Sequence, residues 1–265
     1  MKDKVVIITG AGTGIGKALA FDLAAKGAKI VLNGRNADRL ERVQQEMTTQ
    51  GHTSITAAGD VSQYADCEQI IAKTIDAFGK IDVLVNNAGL TMEGDIEVLH
   101  PDVFKKVMDV NFLGCVYPTK AALPYLRVTK GNIVFVSSVA AKHGIGKHSV
   151  YAASKMAITS LVQSLRIELH DTGIHIGLIY VGFTQQDPEK VQFTASGHEE
   201  PITNRQADQR IPIPVVAGKI AKMIETRQRS SNYSKLGRIL AVVQWFAPWV
   251  VDWVFLRAYK QGKQG

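Results

Sequence analysis

Short, unbroken apolar runs alternate along this chain with longer stretches in which apolar positions recur every three or four residues. The first run, Val5 to Ile8, ends at Thr9-Gly10 and passes through a glycine-rich turn into a periodic stretch over residues 17–26. Unbroken runs fit strands covered on both faces, and the 3.6-residue recurrence fits amphipathic helices. The unit repeats as strand 29–33 and helix 38–50, with Leu40, Val43 and Met47 on one face. It repeats again as strand 54–58 and a helix over about 66–78 carrying Ile70, Ile71, Ile75 and Phe78. Strand 81–85, a long helical region over about 101–127, strand 132–136, helix 150–171 and strand 174–180 continue the alternation. Six strands separated by helices predict an α/β, doubly wound parallel sheet, whose ligand site lies beyond the carboxyl ends of the strands. Over 184–214 the periodicity fails and four of the eight prolines cluster (Pro188, Pro201, Pro212, Pro214), which predicts a substrate lid. No repeat beyond the βα unit and no linker divides the chain, so 1–265 reads as one domain ending in an apolar helical tail over 236–258.

Composition narrows the class. At 265 residues, 46% hydrophobic and 21% charged, the chain is neither disordered nor fibrous. Cys67 and Cys115 make no disulfide framework and match no metal-ligand spacing, so a reducing, cytoplasmic setting without a structural zinc is expected. The run after Lys4 is too short for a signal-peptide core. The net charge of +7 is uneven: residues 1–226 hold 24 basic and 23 acidic groups, residues 227–265 hold 7 and 1. A neutral body gives no reason to expect a nucleic-acid partner.

The turn after the first strand, with Gly10, Gly12, Gly14 and Gly16, lets backbone N–H groups at a helix start approach a pyrophosphate. Its spacing is not G-x-G-x-x-G, because Ile15 and Lys17 stand where the last glycine would fall, and alone it is a weak signal. The second strand ends Leu32-Asn33-Gly34-Arg35-Asn36, with no acid until Asp38. An acid there would bind a ribose 2′-hydroxyl, whereas the Arg35 guanidinium suits a 2′-phosphate, so NADP(H) is the expected cofactor. Tyr151 and Lys155 lie four apart on one face of a predicted helix. A phenol, which ordinarily titrates near 10, serves neutral-pH proton transfer only beside a fixed cation.

Taken with Thr9-Gly10-x-x-x-Gly14-Ile15-Gly16, Asp60-Val61, Asn86-Asn87-Ala88-Gly89, Asn111, Ser137-Ser138 and Tyr151-Ala-Ala-Ser-Lys155, the chain resembles the short-chain dehydrogenase/reductase family over residues 4–183. The resemblance implies a Rossmann fold and these roles. Tyr151 is the general acid in carbonyl reduction or the base in oxidation. Lys155 acidifies it and holds the nicotinamide ribose. Ser138 hydrogen-bonds the substrate oxygen, its neighbour Ser137 facing the sheet, and Asn111 links Lys155 to a proton-carrying water. Gly10, Thr13, Gly14, Ile15, Gly16 and Gly89 belong to the cofactor site, Asp60 and Val61 contact the adenine, and Asn87 with Ala88 lies under the cofactor. Two departures stand out. After the sixth strand Gly182 is kept, but Val181 and Phe183-Thr184-Gln185-Gln186 replace the usual Pro-Gly and later Thr. The glycine-rich last strand of many relatives is missing, which bears on how the expected homo-oligomer would pack.

The expected reaction is NADP(H)-dependent reduction of a hydrophobic ketone to a secondary alcohol. NAD-linked alcohol oxidation and a cofactor-sensing, non-catalytic role are the alternatives; the latter would expect damage at Ser138, Tyr151 or Lys155. His143 and His148 read as satisfied loop histidines. Trp245, Trp249 and Trp253 are four apart, and 15 of the 18 residues over 239–256 are apolar nearly all round a helix, which predicts burial on more than one side. Three readings compete. A transmembrane helix is weakened by Gln244, Pro248 and Asp252. A dimer contact or cover over the substrate mouth needs no membrane. A peripheral membrane helix would use Arg227, Arg229, Lys235, Arg238, Arg257, Lys260 and Lys263 against anionic lipid.

Overall fold

The computed structural model of the chain describes residues 1–185, 187–202, 210–232, 243 and 246–262. β1 (Val5–Ile8) is central because its side chains alternate between two apolar layers: Val6 and Ile8 enter one core, Val5 and Ile7 the other. Both faces are dry, so no polar residue interrupts the run. The first core is closed by α1 (Gly14–Ala25), α2 (Ala37–Thr49) and α7 (Ile213–Glu225). The second is closed by α3 (Tyr64–Phe78), α5 (Gly114–Thr129) and α6 (Ser149–Glu168).

The strands β2 (Lys29–Gly34), β3 (Ser54–Ala58), β4 (Val83–Asn86), β5 (Asn132–Ser138), β6 (His175–Val181) and β9 (Ser230–Asn232) join β1 in the order β3-β2-β1-β4-β5-β6-β9, all parallel. The order reverses between β1 and β4, and loops leaving those two strands diverge to open a crevice.

The structure refines the expected elements. The seventh strand, β9, is polar Ser-Ser-Asn on the sheet edge and carries no apolar run to betray it. The helical region over 101–127 is three pieces: α4 (Pro101–Met108), a π-turn over Asp109–Leu113, and α5. The expected lid contains a hairpin of β7 (Val191–Phe193) and β8 (Glu199–Pro201), and its ends meet where Thr184 bridges Ile211. Phe193 anchors it in a small core with Met92, Leu99, Val103 and Val107. In the tail, α8 (Pro248–Gly262) packs one face against the body, while Lys235, Arg238, Gln244, Trp245 and Lys263 lie outside the described residues. Among the described residues no helix is long and apolar enough to cross a membrane.

At the far end of the sheet, His175 Nδ1 donates to Asn132 Oδ1 at 3.0 Å, while its buried Nε2 has no hydrogen-bond partner among the described residues. Burial pushes the imidazole down to about 4, and the nearby Arg227, Arg166 and Arg229 add to the effect. The fold therefore keeps this ring neutral where the unfolded chain takes up a proton, so stability falls as pH drops from about 6.5 towards about 4. Urea unfolding across that window should show a loss on the order of 1 kcal/mol, after solvent screening of a half-buried ring, that His175→Gln lacks. Parallel pH profiles for the two proteins would refute it.

Candidate active site

The carboxyl ends of the central strands open into one cleft of about 720 Å³. Its floor is a turn that tolerates no side chains where it bends most tightly. Gly10 has φ +65°, and a Cβ there would meet the Ala88 Cα at 3.0 Å; a Cβ on Gly16 would lie 2.2 Å from the Gly10 carbonyl oxygen. The turn is stitched to the exit of β4. Thr9 Oγ1 accepts from the Asn87 and Ala88 N–H groups at 2.9 and 3.0 Å, and Asn87 Nδ2 donates to the carbonyls of Thr9 and Gly10 at 2.9 and 3.2 Å. Thr13, which precedes α1 and lines the cleft, makes no side-chain cap, so the first N–H groups of the helix depend on partners from outside it. A turn closed to a Cβ at Gly10 and Gly16, followed by a helix start without a cap from Thr13, fits the phosphates of a dinucleotide. One of those donors, Gly14 N–H, is taken at 2.7 Å by the carboxylate of Asp187 from the loop after β6.

The opposite wall is the start of α6. Lys155 is buried, and its Nζ donates to the Val136 carbonyl at 3.3 Å and lies 5.9 Å from the centre of the Tyr151 ring. Burial pulls its pKa below the ordinary lysine value. Among the described residues it forms no ion pair. Its neighbour Cys115 supplies no counter-charge, because burial pushes that thiol up to about 11. Ser137 faces inward and donates to the Lys155 carbonyl at 3.2 Å. Ser138 lines the cleft, and its Oγ accepts from Ala140 N at 3.2 Å, leaving the hydroxyl proton for another acceptor. A proton donor, a hydroxyl and a buried cation thus converge on one cavity, an arrangement suited to moving a proton on or off a substrate oxygen.

Asn111, within the π-turn, is buried behind this wall. Its Oδ1 accepts from Leu90 N at 2.7 Å, and its Nδ2 donates to the Leu90 carbonyl at 3.0 Å and to Ser154 Oγ at 2.9 Å. Ser154 in turn donates to the Tyr151 carbonyl at 2.7 Å. The amide therefore locks the loop after β4 to the first turn of α6. Gly89 sits between: a Cβ there would lie 3.3 Å from Asn111 Oδ1 and 3.4 Å from Lys155 Nζ.

Of the residues singled out in the sequence, Gly10, Thr13, Gly14, Ile15, Asn87, Ala88, Gly89, Ser138, Tyr151, Lys155 and Gly182 line the cleft. Gly16 and Asn111 stand behind its lining. Asp60 Oδ1 accepts from Ser62, Val61 is buried against Cys67 and Val110, and Arg35 is exposed; none of these three lines the cleft. Arg39 does. It packs over Gly12 and pairs with Glu189 at 2.8 Å, and its sequence signal was only a second arginine one turn into the helix after β2. The tail supplies Phe255, Ala258 and Tyr259 to the cleft, which agrees with its reading as a cover. His148 bonds the Met92 carbonyl, and His143 stacks on Phe255 with ring centres 4.6 Å apart.

Comparison with known proteins agrees with this fold. A family model described as short chain dehydrogenase matches residues 4–195. The chain is 36% identical over 269 residues to 11-beta-hydroxysteroid dehydrogenase 1A of Arabidopsis thaliana, covering 98% of this chain and 76% of that one. It is 36% identical over 211 residues to an uncharacterized oxidoreductase of Thermotoga maritima, covering 79% and 83%. Among solved structures, an alcohol dehydrogenase from the archaeon Thermococcus sibiricus complexed with 5-hydroxy-NADP gives a TM-score of 0.77 at 26% identity, covering 88% of this chain and 96% of that one. A short-chain dehydrogenase/reductase from Burkholderia phymatum in complex with NAD also gives 0.77 at 26% identity, covering 87% and 89%.

Asn111→Ala removes the amide that satisfies Leu90 and Ser154 in a dry wall. It should lower unfolding free energy by at least about 2 kcal/mol in urea titration. A change within experimental error would show that these bonds do not hold the wall together.

Proposed function

The chain belongs to the short-chain dehydrogenase/reductase family, a family of oxidoreductases, and within it we propose an NADP(H)-dependent carbonyl reductase acting on a hydrophobic ketone. The observation that carries this reading is the buried ammonium of Lys155 beside the Tyr151 ring, at a cleft shared with the glycine turn. When bound, the dinucleotide supplies the hydride to the carbonyl carbon. Tyr151 gives its phenolic proton to the carbonyl oxygen, and Ser138 hydrogen-bonds that oxygen with its free hydroxyl proton. Lys155 stabilises the negative charge left on Tyr151 and binds the ribose, while Asn111 acts as a positioning residue for both. Gly10, Thr13, Gly14, Ile15 and Gly16 form the phosphate cradle, Asp60 and Val61 the adenine side, and Asn87, Ala88, Gly89 and Gly182 the nicotinamide side.

Preference for NADP(H) is supported by Arg35 and Arg39, which follow β2 with no acid at its end. The solved neighbours include one with an NADP derivative and one with NAD, so the arginines, not the fold, support the choice. A hydrophobic substrate is supported by Leu90, Ile145, Val191, Ile213 and Phe255 in the cleft wall. Relatives named hydroxysteroid dehydrogenases support a ketone or secondary alcohol on a bulky apolar skeleton.

Two variants test this. Tyr151→Phe should reduce turnover of a ketone panel by about 100- to 10,000-fold while NADPH still binds, as read by its fluorescence. Turnover near wild type would remove the proton-transfer role. The double variant Arg35→Ala/Arg39→Ala should weaken NADPH about 10- to 100-fold and leave NADH nearly unchanged, and an unchanged NADPH affinity would remove the 2′-phosphate assignment.

A further inference from the structure

α8 has two faces of different kinds. The inner face is satisfied by the protein: Val251 is buried, Phe255 stacks on His143, Asp252 lies 3.4 Å from the same ring, and Tyr259 donates its hydroxyl to Asp95 at 2.7 Å. The outer face is not what water selects. Trp249 is 67% exposed, Trp253 59% and Leu256 50%, and with Lys260 they follow the i, i+4, i+7, i+11 spacing of a single helical stripe. Val250 and Val254 flank it at 41% and 43%, and Phe246 precedes it at 80%. α2 shows the contrast: its outward positions Asp38, Glu41, Arg42 and Glu46 are charged, as on any helix facing solvent. The burial on more than one side that the apolar pattern of the tail predicts is thus met, among the described residues, on one side of α8.

From this we infer that the outer face of α8 docks on the surface of an anionic lipid bilayer, with the helix lying in the plane of the interface. Three observations choose lipid over a second copy of the chain. The exposed aromatics are tryptophans, whose amphipathic rings suit the headgroup boundary. The cations sit at the stripe's end, with Arg257 5.6 Å from the Trp253 ring and Lys260 beyond; the one acid of the helix, Asp252, lies at the stripe's border, 69% exposed and 3.4 Å from His143. α8 itself carries Arg257 and Lys260 against one acid, Asp252, so a two-fold contact along the stripe would set like charges together, whereas anionic headgroups complement them. No described helix is long and apolar enough to cross, which fits a helix that lies on the bilayer.

Because the same helix lends Phe255, Ala258 and Tyr259 to the cleft, docking would bring the mouth of the site to the lipid surface. That consequence rests on the hydrophobic-substrate reading, and the docking itself does not. The test is co-sedimentation of the full chain with vesicles of phosphatidylcholine alone or mixed with phosphatidylglycerol. Binding is expected to the mixed vesicles, with salt weakening it and with a blue shift of tryptophan emission. Trp249→Ser/Trp253→Ser and Arg257→Glu/Lys260→Glu should each cut partitioning at least about tenfold. Both should leave NADPH binding intact, which shows that the variants fold. No binding of wild type, or equal binding to neutral and anionic vesicles, overturns the proposal. So does sedimentation velocity showing a wild-type dimer that the tryptophan variant dissociates in the absence of lipid.

Discussion

A lysine ammonium buried in the wall of a cleft, with no carboxylate paired to it among the described residues, is the constraint around which this structure is arranged. Removing such a charge from water costs several kcal/mol unless the surroundings compensate. Compensation here comes from the Val136 carbonyl and from the neighbouring phenol. The neighbouring Cys115 thiol, which burial pushes up to about 11, adds no counter-charge. The residues nearby serve the same end. Ser137 ties the Lys155 backbone to β5, Gly89 leaves room for the ammonium, and Asn111 joins the loop after β4 to α6 through Ser154. The π-turn over Asp109–Leu113 is the local distortion that carries Asn111 behind the wall.

The second half of the site follows from topology. Because the strand order reverses between β1 and β4, the loops after them part, and the glycine turn falls into the gap. Thr9 and Asn87 sew those two loops together, which holds the glycine turn against the exit of β4 in the same cleft that Lys155 lines. Across it lies the loop after β6, with Asp187 on the Gly14 N–H and Glu189 on Arg39. Both carboxylates sit on groups suited to phosphate. Departure of Val181 and Phe183 to Gln186 from the usual family pattern therefore coincides with an acidic segment facing the cradle.

Much of this was legible in the sequence for physical reasons. Strands covered on both faces read as apolar runs, so the five inner strands were visible, as were the glycines that a close backbone approach requires, and the edge strand β3 showed by its place in the alternation. The pairing of Tyr151 with Lys155 follows from helical spacing once α6 is placed. Short and polar elements were not visible: β9 is Ser-Ser-Asn, and β7 and β8 are three residues each, too short for a period to show. Arg39 was missed because its place over Gly12 depends on how α2 packs, which no local pattern reports. The tail pattern predicted burial on more than one side, and among the described residues α8 is covered on its Val251 face.

The central claim is that the Lys155 cation makes Tyr151 competent to exchange its proton at neutral pH. The most direct measurement is the pH profile of alcohol oxidation with saturating dinucleotide in wild type and Lys155→Met. With the cation gone, the variant should lose at least about 100-fold in turnover near pH 7 and regain part of it as pH rises, moving its optimum upward. A variant profile of the same shape as wild type, merely scaled down, would contradict the account and leave Lys155 as a cofactor ligand alone.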